Sequence, residues 1–457
     1  MTQDIFGQTV TLAPGPALSS WNATQMAFLA HGAATPTHLA DTLNAAPDFV
    51  LGHAVKAMFY LLLGRRELIA PASAALTQAR AALTVQTVTP RERRYVEALS
   101  LWMQGHPVRA AEVFAALLRA CPGDALAVKL DHALRFVLGD SAGMRRAVEG
   151  AMPAYGEDHP ARGYMMGCHA FTLEETGDYA AAQAAGRAAL QLAPDDAWGL
   201  HAVAHVHDMT ADARGGIDWL AGREAAWAHC NNFRYHVWWH KALMHLDLGQ
   251  IGTVLELYDT EIRREKTDDY RDISNATSLL SRLELEGVDV GHRWEELAEI
   301  SASRTEDGCL IFADLHYLLA LIGDHRDAAI RDLMGRLHRD AQNARTDIQK
   351  AMANPGLSAA AGLEAFGEGQ YAQAFLALAR ARKSMQQAGG SHAQRDVFER
   401  LTIDAGIRAG FLEEAEGILA DRIAHRDGCV DGYARARQTL IAEGRDAARG
   451  GARVPAE

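Results

Sequence analysis

Apolar residues recur along the chain at intervals of three and four, which is the spacing of one helical face. The apolar stretches come in pairs, each pair an apolar segment, a Gly-centred break and a second segment rich in alanine. The clearest copy is "GCHAFTLEETGDYAAAQAAGRAALQLAPDD", and "GLEAFGEGQYAQAFLALARAR" repeats it towards the C-terminus. Breaks fall at Gly64, Gly105, Gly139, Gly177, Gly249, Gly287, Gly323, Gly369 and Gly410, with a degenerate one near Asp212. β-branched runs are short, and Ala, Leu, Arg and Glu dominate at helical spacing, so strands are not expected. The pattern predicts an all-α α-solenoid superhelix of about nine or ten helical hairpins. Its helix content should exceed about two-thirds, well above the globular average. No Ser- or Gly-rich linker divides it, so one domain is expected over 1-445, with a frayed, disordered tail over 446-457.

The break spacing stays near the roughly 34-residue period of the tetratricopeptide repeat, in which Gly-Asp-Tyr turns helix A into helix B and a proline closes the unit. Composition agrees with a soluble repeat protein. Lysine and arginine total 45 against 58 acidic residues, a net charge of -13, which argues against a nucleic-acid backbone as partner. The start "MTQDIFGQTVTLAPG" lacks a basic segment followed by an apolar run, and "AVKAMFYLLLG" is too short to span a bilayer. A cytoplasmic location with no membrane partner is therefore expected. Cys121, Cys168, Cys230, Cys309 and Cys429 form no CxxC and are expected as reduced thiols.

Three segments are more specific than the repeat: "AHVHDMTADARGGIDWL", "NNFRYHVWWHKALMHLDLG" and "GGSHAQRDVFERL". In order and spacing they resemble the tetratricopeptide repeat protein 38 family, over most of the chain from "PDFVLGHAVKA" to the last hairpin. Where that family has a Gln-Gly-Arg turn after its histidines, this chain has Thr210-Ala211-Asp212-Ala213-Arg214. The resemblance implies the repeat fold and hardly any activity.

Chemistry is concentrated in one region. Residues 198 to 245 hold seven of the 20 histidines and five of the eight tryptophans. Placing Trp198 near position 2 of a helix A, whose face lines the concave groove, aligns His201, His205 and Asp208 on one inward stripe, since steps of four and three keep a helical face. His207 falls on the other side. The next helix A carries His236 and His240, again four apart, and neighbouring A helices should set the two stripes face to face. A lone histidine in an apolar pattern is usually a hydrogen-bonded core group; four on facing stripes shift that balance.

From these positions His205, Asp208 and His240 are the expected acid-base groups. His201, His236, Trp198 and Trp239 are expected to bind substrate, with Cys168, Asp314 and Arg395 closing the pocket. Gly167 would leave space beside Cys168, whose thiolate would need His201 or His205 within about 3.5 Å to act as a nucleophile. Arg395, at a helix N-terminus, suits a carboxylate or phosphate. Ala202 follows His201, so the HExxH glutamate is missing, and no metal and no cofactor are expected. Two readings stay open. The first is a small-molecule site in the concave groove, enzymatic if it performs acid-base hydrolysis. The second is a non-enzymatic scaffold for a peptide or protein partner, as most such arrays are.

Overall fold

The computed structural model describes residues 1–451; the remainder of the predicted tail, 452–457, lies outside the described residues. The chain is 74% helical, and its helices alternate in antiparallel pairs. Each predicted break separates two helices, with Gly323 the last residue of its own. The break is a single left-handed residue. Glycine supplies it at positions such as Gly177 (φ 83°) and Gly410 (φ 82°), but His31, Ala211 and His325 occupy the same conformation at 56°, 54° and 53°. That is why the Asp212 break looks degenerate in sequence. It is also why the pattern misses a further hairpin, Pro16–Leu29 with Thr35–Ala45, which turns at His31. The last helix, Gly432–Gly451, runs past the expected boundary at 445.

The only strands among the described residues are Thr2–Gln3 and Thr9–Val10, a short antiparallel pair. No helix among those residues is long and apolar enough to cross a membrane. All five cysteines are free.

The superhelix winds tightly enough for residues some 200 apart in sequence to meet. Near the start, Asn231 donates its N–H to the His31 carbonyl at 2.8 Å, and His229 shares a hydrogen bond with the Ala30 carbonyl at 3.0 Å. Arg304 donates to both oxygens of Glu67. Towards the end, the His392 N–H donates to Glu175 at 2.8 Å and Arg426 donates to Asp208 at 3.0 Å. The C-terminal hairpins thus reach back across what an open solenoid would leave as a groove.

A buried charge network holds this return. Arg422 bridges Asp396 at 2.6 Å and Asp431 at 2.7 Å, while Arg400 and Arg426 approach the same carboxylates. Burial alone would raise both acids, but Arg422 outweighs it, with Arg400 at Asp396 and Arg426 at Asp431, and both stay below the ordinary carboxylate range. Asp431 also accepts the Ala434 N–H at the start of the last helix. Asp431→Ala should therefore lower stability by about 3 kcal/mol or more, read by urea denaturation, because it strands part of a buried guanidinium. Because both acids are depressed, their contribution is complete above about pH 4 and lost as pH falls further. Hydrogen-exchange protection factors, corrected for the intrinsic rate at each pH, should be high in helices Leu412–His425 and Gly432–Gly451 at pH 5 and fall at pH 3.

Candidate functional site

The Ala197–Met209 helix is placed by close contact with the Arg162–Glu174 helix. Asp196 caps the former, accepting the Gly199 N–H at 3.1 Å, and a Cβ on Gly199 would come within 3.1 Å of the Gly167 Cα. A Cβ on Gly167 would overlap the Asp196 carboxylate. Gly167 therefore admits a neighbouring helix cap and leaves no space for a substrate. On the far side lies the Phe233–Asp247 helix, so the two predicted stripes do face each other.

Between these helices the four imidazoles turn their Nε2 atoms to one point. His205 and His201 approach at 2.8 Å, His201 and His236 at 3.0 Å, and His236 and His240 at 3.2 Å. His205 and His240 are wholly buried, His201 2% and His236 9% exposed. Phe171 stacks on His201, Trp239 stacks on His236 at 5.2 Å, and Phe233 packs against both His201 and His236.

The outward nitrogens differ. His236 Nδ1 lies 3.0 Å from Asn275 Oδ1, and His205 Nδ1 lies 3.3 Å from a Glu174 oxygen. Glu174 is fully buried and neither of its oxygens accepts a hydrogen bond. His201 Nδ1 and His240 Nδ1 are buried without a partner. Burial pushes His201 and His240 well below the ordinary imidazole value and His236 to about 3. It pulls on His205 too, but there the Glu174 carboxylate, backed by Glu175 and Asp208, leaves the pKa raised.

Of the other expected residues, Trp198 and Trp239 pack against these rings, and the rest are engaged elsewhere. Asp208 lies on Arg426 and makes no hydrogen bond or ion pair with His205, although it follows on the same stripe. Trp198 donates its indole N–H to His132 at 3.2 Å, and its faces meet Lys129 and His31, so no ring is presented to a groove. Cys168 sits 3.9 Å from Lys129, and burial pushes its thiol up to about 11, the reverse of nucleophile activation. Asp314 is paired with Arg336 at 2.6 Å. Arg395 donates to the Gly389 and Gly390 carbonyls and lies 3.6 Å from Glu175, so it closes the region from behind the carboxylates. Trp239 covers His236, with Arg282 over its ring.

Glu174, Glu175 and Asn275 belong to this centre and were not foreseen. Glu174 had a legible signal: Gly167, Phe171 and Glu174 follow steps of four and three on the helix that precedes the histidines. Asn275, on the Tyr270–Leu285 helix, had none. Two clefts open elsewhere, one of about 790 Å³ beside Leu118, Ala147 and Lys350, one of about 280 Å³ beside Met385, His392 and His425; the four histidines line neither.

No protein-family model matches the chain. The structure of the human IFIT1 dimer with PPP-AAAA is similar over 97% of this chain and 97% of that one, at 12% identity and a TM-score of 0.38. The helical-repeat architecture described above stands on the chain's own helices and turns.

The buried imidazoles have a pH consequence. His201, His236 and His240, with His31 and His132, are all depressed, so the unfolded chain takes up protons first and their stability contribution is lost as pH falls below about 6.5. His205, raised, contributes with the opposite sign and loses its share as pH rises through its folded value. Among the histidines the depressed groups predominate, while the raised Asp196 and Asp272, at about 7, gain over the same interval. The change in melting temperature from pH 7.5 to 5.5 should therefore be more positive in a His201→Ala/His240→Ala variant than in the wild type, and an equal change would contradict this arrangement.

Proposed function

We propose that the protein holds a small ligand, of a few atoms at most, at the four-histidine centre inside its closed superhelix. The observation that carries this reading is the convergence of four ring nitrogens at a buried point walled by Phe171, Phe233 and Trp239. A packed core has no use for such an arrangement unless each polar atom is satisfied, and several here are not.

A peptide scaffold draws less support, because an extended partner needs a long open concave face and here the chain's own ends occupy it. Acid-base hydrolysis by His205 and His240 also draws less support. Asp208 is taken up by Arg426, and neither of the two clefts described reaches the imidazoles. The resemblance to the tetratricopeptide repeat protein 38 family fits this reading: the first resembling segment contains His205, the second His236 and His240, and the third Arg395, which backs Glu175. The free cysteines fit a reducing, cytoplasmic setting.

Purified protein compared by native and denaturing mass spectrometry tests the reading. The native mass should exceed the denatured mass by a small non-covalent ligand. A His201→Ala/His240→Ala variant should lose that excess while keeping its helical circular dichroism. Glu413→Ala, on an exposed helical position remote from the centre, should keep it. Equal native and denatured masses in the wild type would sink the proposal.

A further inference from the structure

Resting on that reading, we propose that the ligand is a single first-row transition-metal ion bound by the Nε2 atoms of His201, His205, His236 and His240, with Glu174 and Asn275 as positioning residues behind His205 and His236. The donor atoms of the four histidines all lie within 4.8 Å of one another. Two nitrogens bound to one ion at 2.0–2.1 Å stand about 2.9 Å apart at a right angle and about 3.4 Å apart at the tetrahedral angle. The separations of 2.8, 3.0 and 3.2 Å fall close to that window.

Protons alone do not account for the cluster. An imidazole nitrogen has one in-plane position, holding either a hydrogen or a lone pair. Yet His201 Nε2 meets both His205 and His236, and His236 Nε2 meets both His201 and His240. With the His236 Nδ1–H donating to Asn275 and the His205 Nδ1–H directed at Glu174, both their Nε2 atoms carry bare lone pairs while His205 is neutral. One hydrogen on His201 then serves only one of these two neighbours, and the other contact sets nitrogen against nitrogen with nothing between them. A proton added to His205 Nε2 would serve its contact with His201 and leave His201 and His236 lone pair to lone pair. A cation at the centre satisfies all four lone pairs together.

Donor chemistry narrows the ion. Four imidazoles with neither carboxylate nor thiolate in contact suit zinc, copper, iron, cobalt or nickel, and not magnesium or calcium, which take oxygen ligands. The ion's charge has a counterpart close by: Glu174 is wholly buried and has the His205 ring as its one ion-pair partner. Carboxylate, histidine and metal in line is the usual way such a ligand is oriented. HExxH is not required, because the ligands come as two i, i+4 pairs, one from each of two adjoining helices. Four buried protein donors that line neither of the two clefts make a closed site, suited to holding an ion rather than to activating a water.

The test uses the full, tag-free chain. Elemental analysis should find about one equivalent of a first-row metal per chain, or binding of one Zn²⁺ or Co²⁺ after chelator treatment. The Co²⁺ form should show the strong visible absorption of a four-coordinate nitrogen site. Glu174→Gln keeps all four ligands and should weaken Zn²⁺ binding about 10–100-fold, read by competition with a chromophoric chelator. Cys168→Ser, whose thiol lies against Lys129, should leave it unchanged. His201→Ala/His240→Ala should abolish it; should that variant not fold, the Co²⁺ spectrum of the wild type decides alone. Six-coordinate weak bands, thiolate charge transfer, or no uptake of either ion would overturn the metal inference. If metal is absent while the native mass still carries an organic excess, the ion falls and the ligand-holding reading stands; if both are absent, both fall.

Discussion

The winding of the superhelix is the constraint on which the rest depends. An open solenoid leaves its concave helices facing water, where a polar side chain needs no partner. Here the Pro16–Leu29 hairpin and the helices from His392 onward return to that face and turn it into an interior. Every polar group on it must then be paired, since an unpaired one costs free energy comparable to several ordinary contacts. The fold meets the demand with paired charges: Arg422 between Asp396 and Asp431, Arg426 on Asp208, Arg336 on Asp314, Arg91 on Asp124.

Against that background the histidine centre stands apart. The arginine and aspartate groups are ion-paired, Asp314 and Arg336 with some atoms left without a hydrogen bond, and replacing them disturbs the closure without implying a ligand. At the histidines the sharing is incomplete: ring nitrogens face ring nitrogens, and the Glu174 carboxylate accepts no hydrogen bond. Close packing makes this possible. Glycines at 167 and 199 let two helices approach until an aspartate cap fits between them, which brings Glu174 within reach of His205 on the stripe it shares with His201.

Several expectations met this interior differently. Asp208 is in phase with His205, as the helical period requires, yet the last turn of its helix reaches Arg426 on a hairpin more than two hundred residues later. Cys168 and Trp198 are in phase too, but Lys129, His31 and His132 reach them first. Arg395 does approach the region, by way of Glu175 rather than by way of a bound anion.

Local periodicity determined the helices, their pairing and the direction each side chain leaves its helix, because those follow from 3.6 residues per turn and from the left-handed residue that ends a helix. That is why the two histidine pairs and their mutual facing were legible, and why the hairpin turning at His31 was not: the turn residue there is not glycine. Which partner each inward residue finds was decided only in three dimensions. The pitch accumulates from small rotations between successive hairpins, set by contacts such as Gly167 against Gly199 that no local pattern encodes. Whether the concave face stays a groove or becomes a buried polar core therefore belongs to the tertiary structure, and with it the isolation of Glu174 and the meeting of four imidazoles at one point.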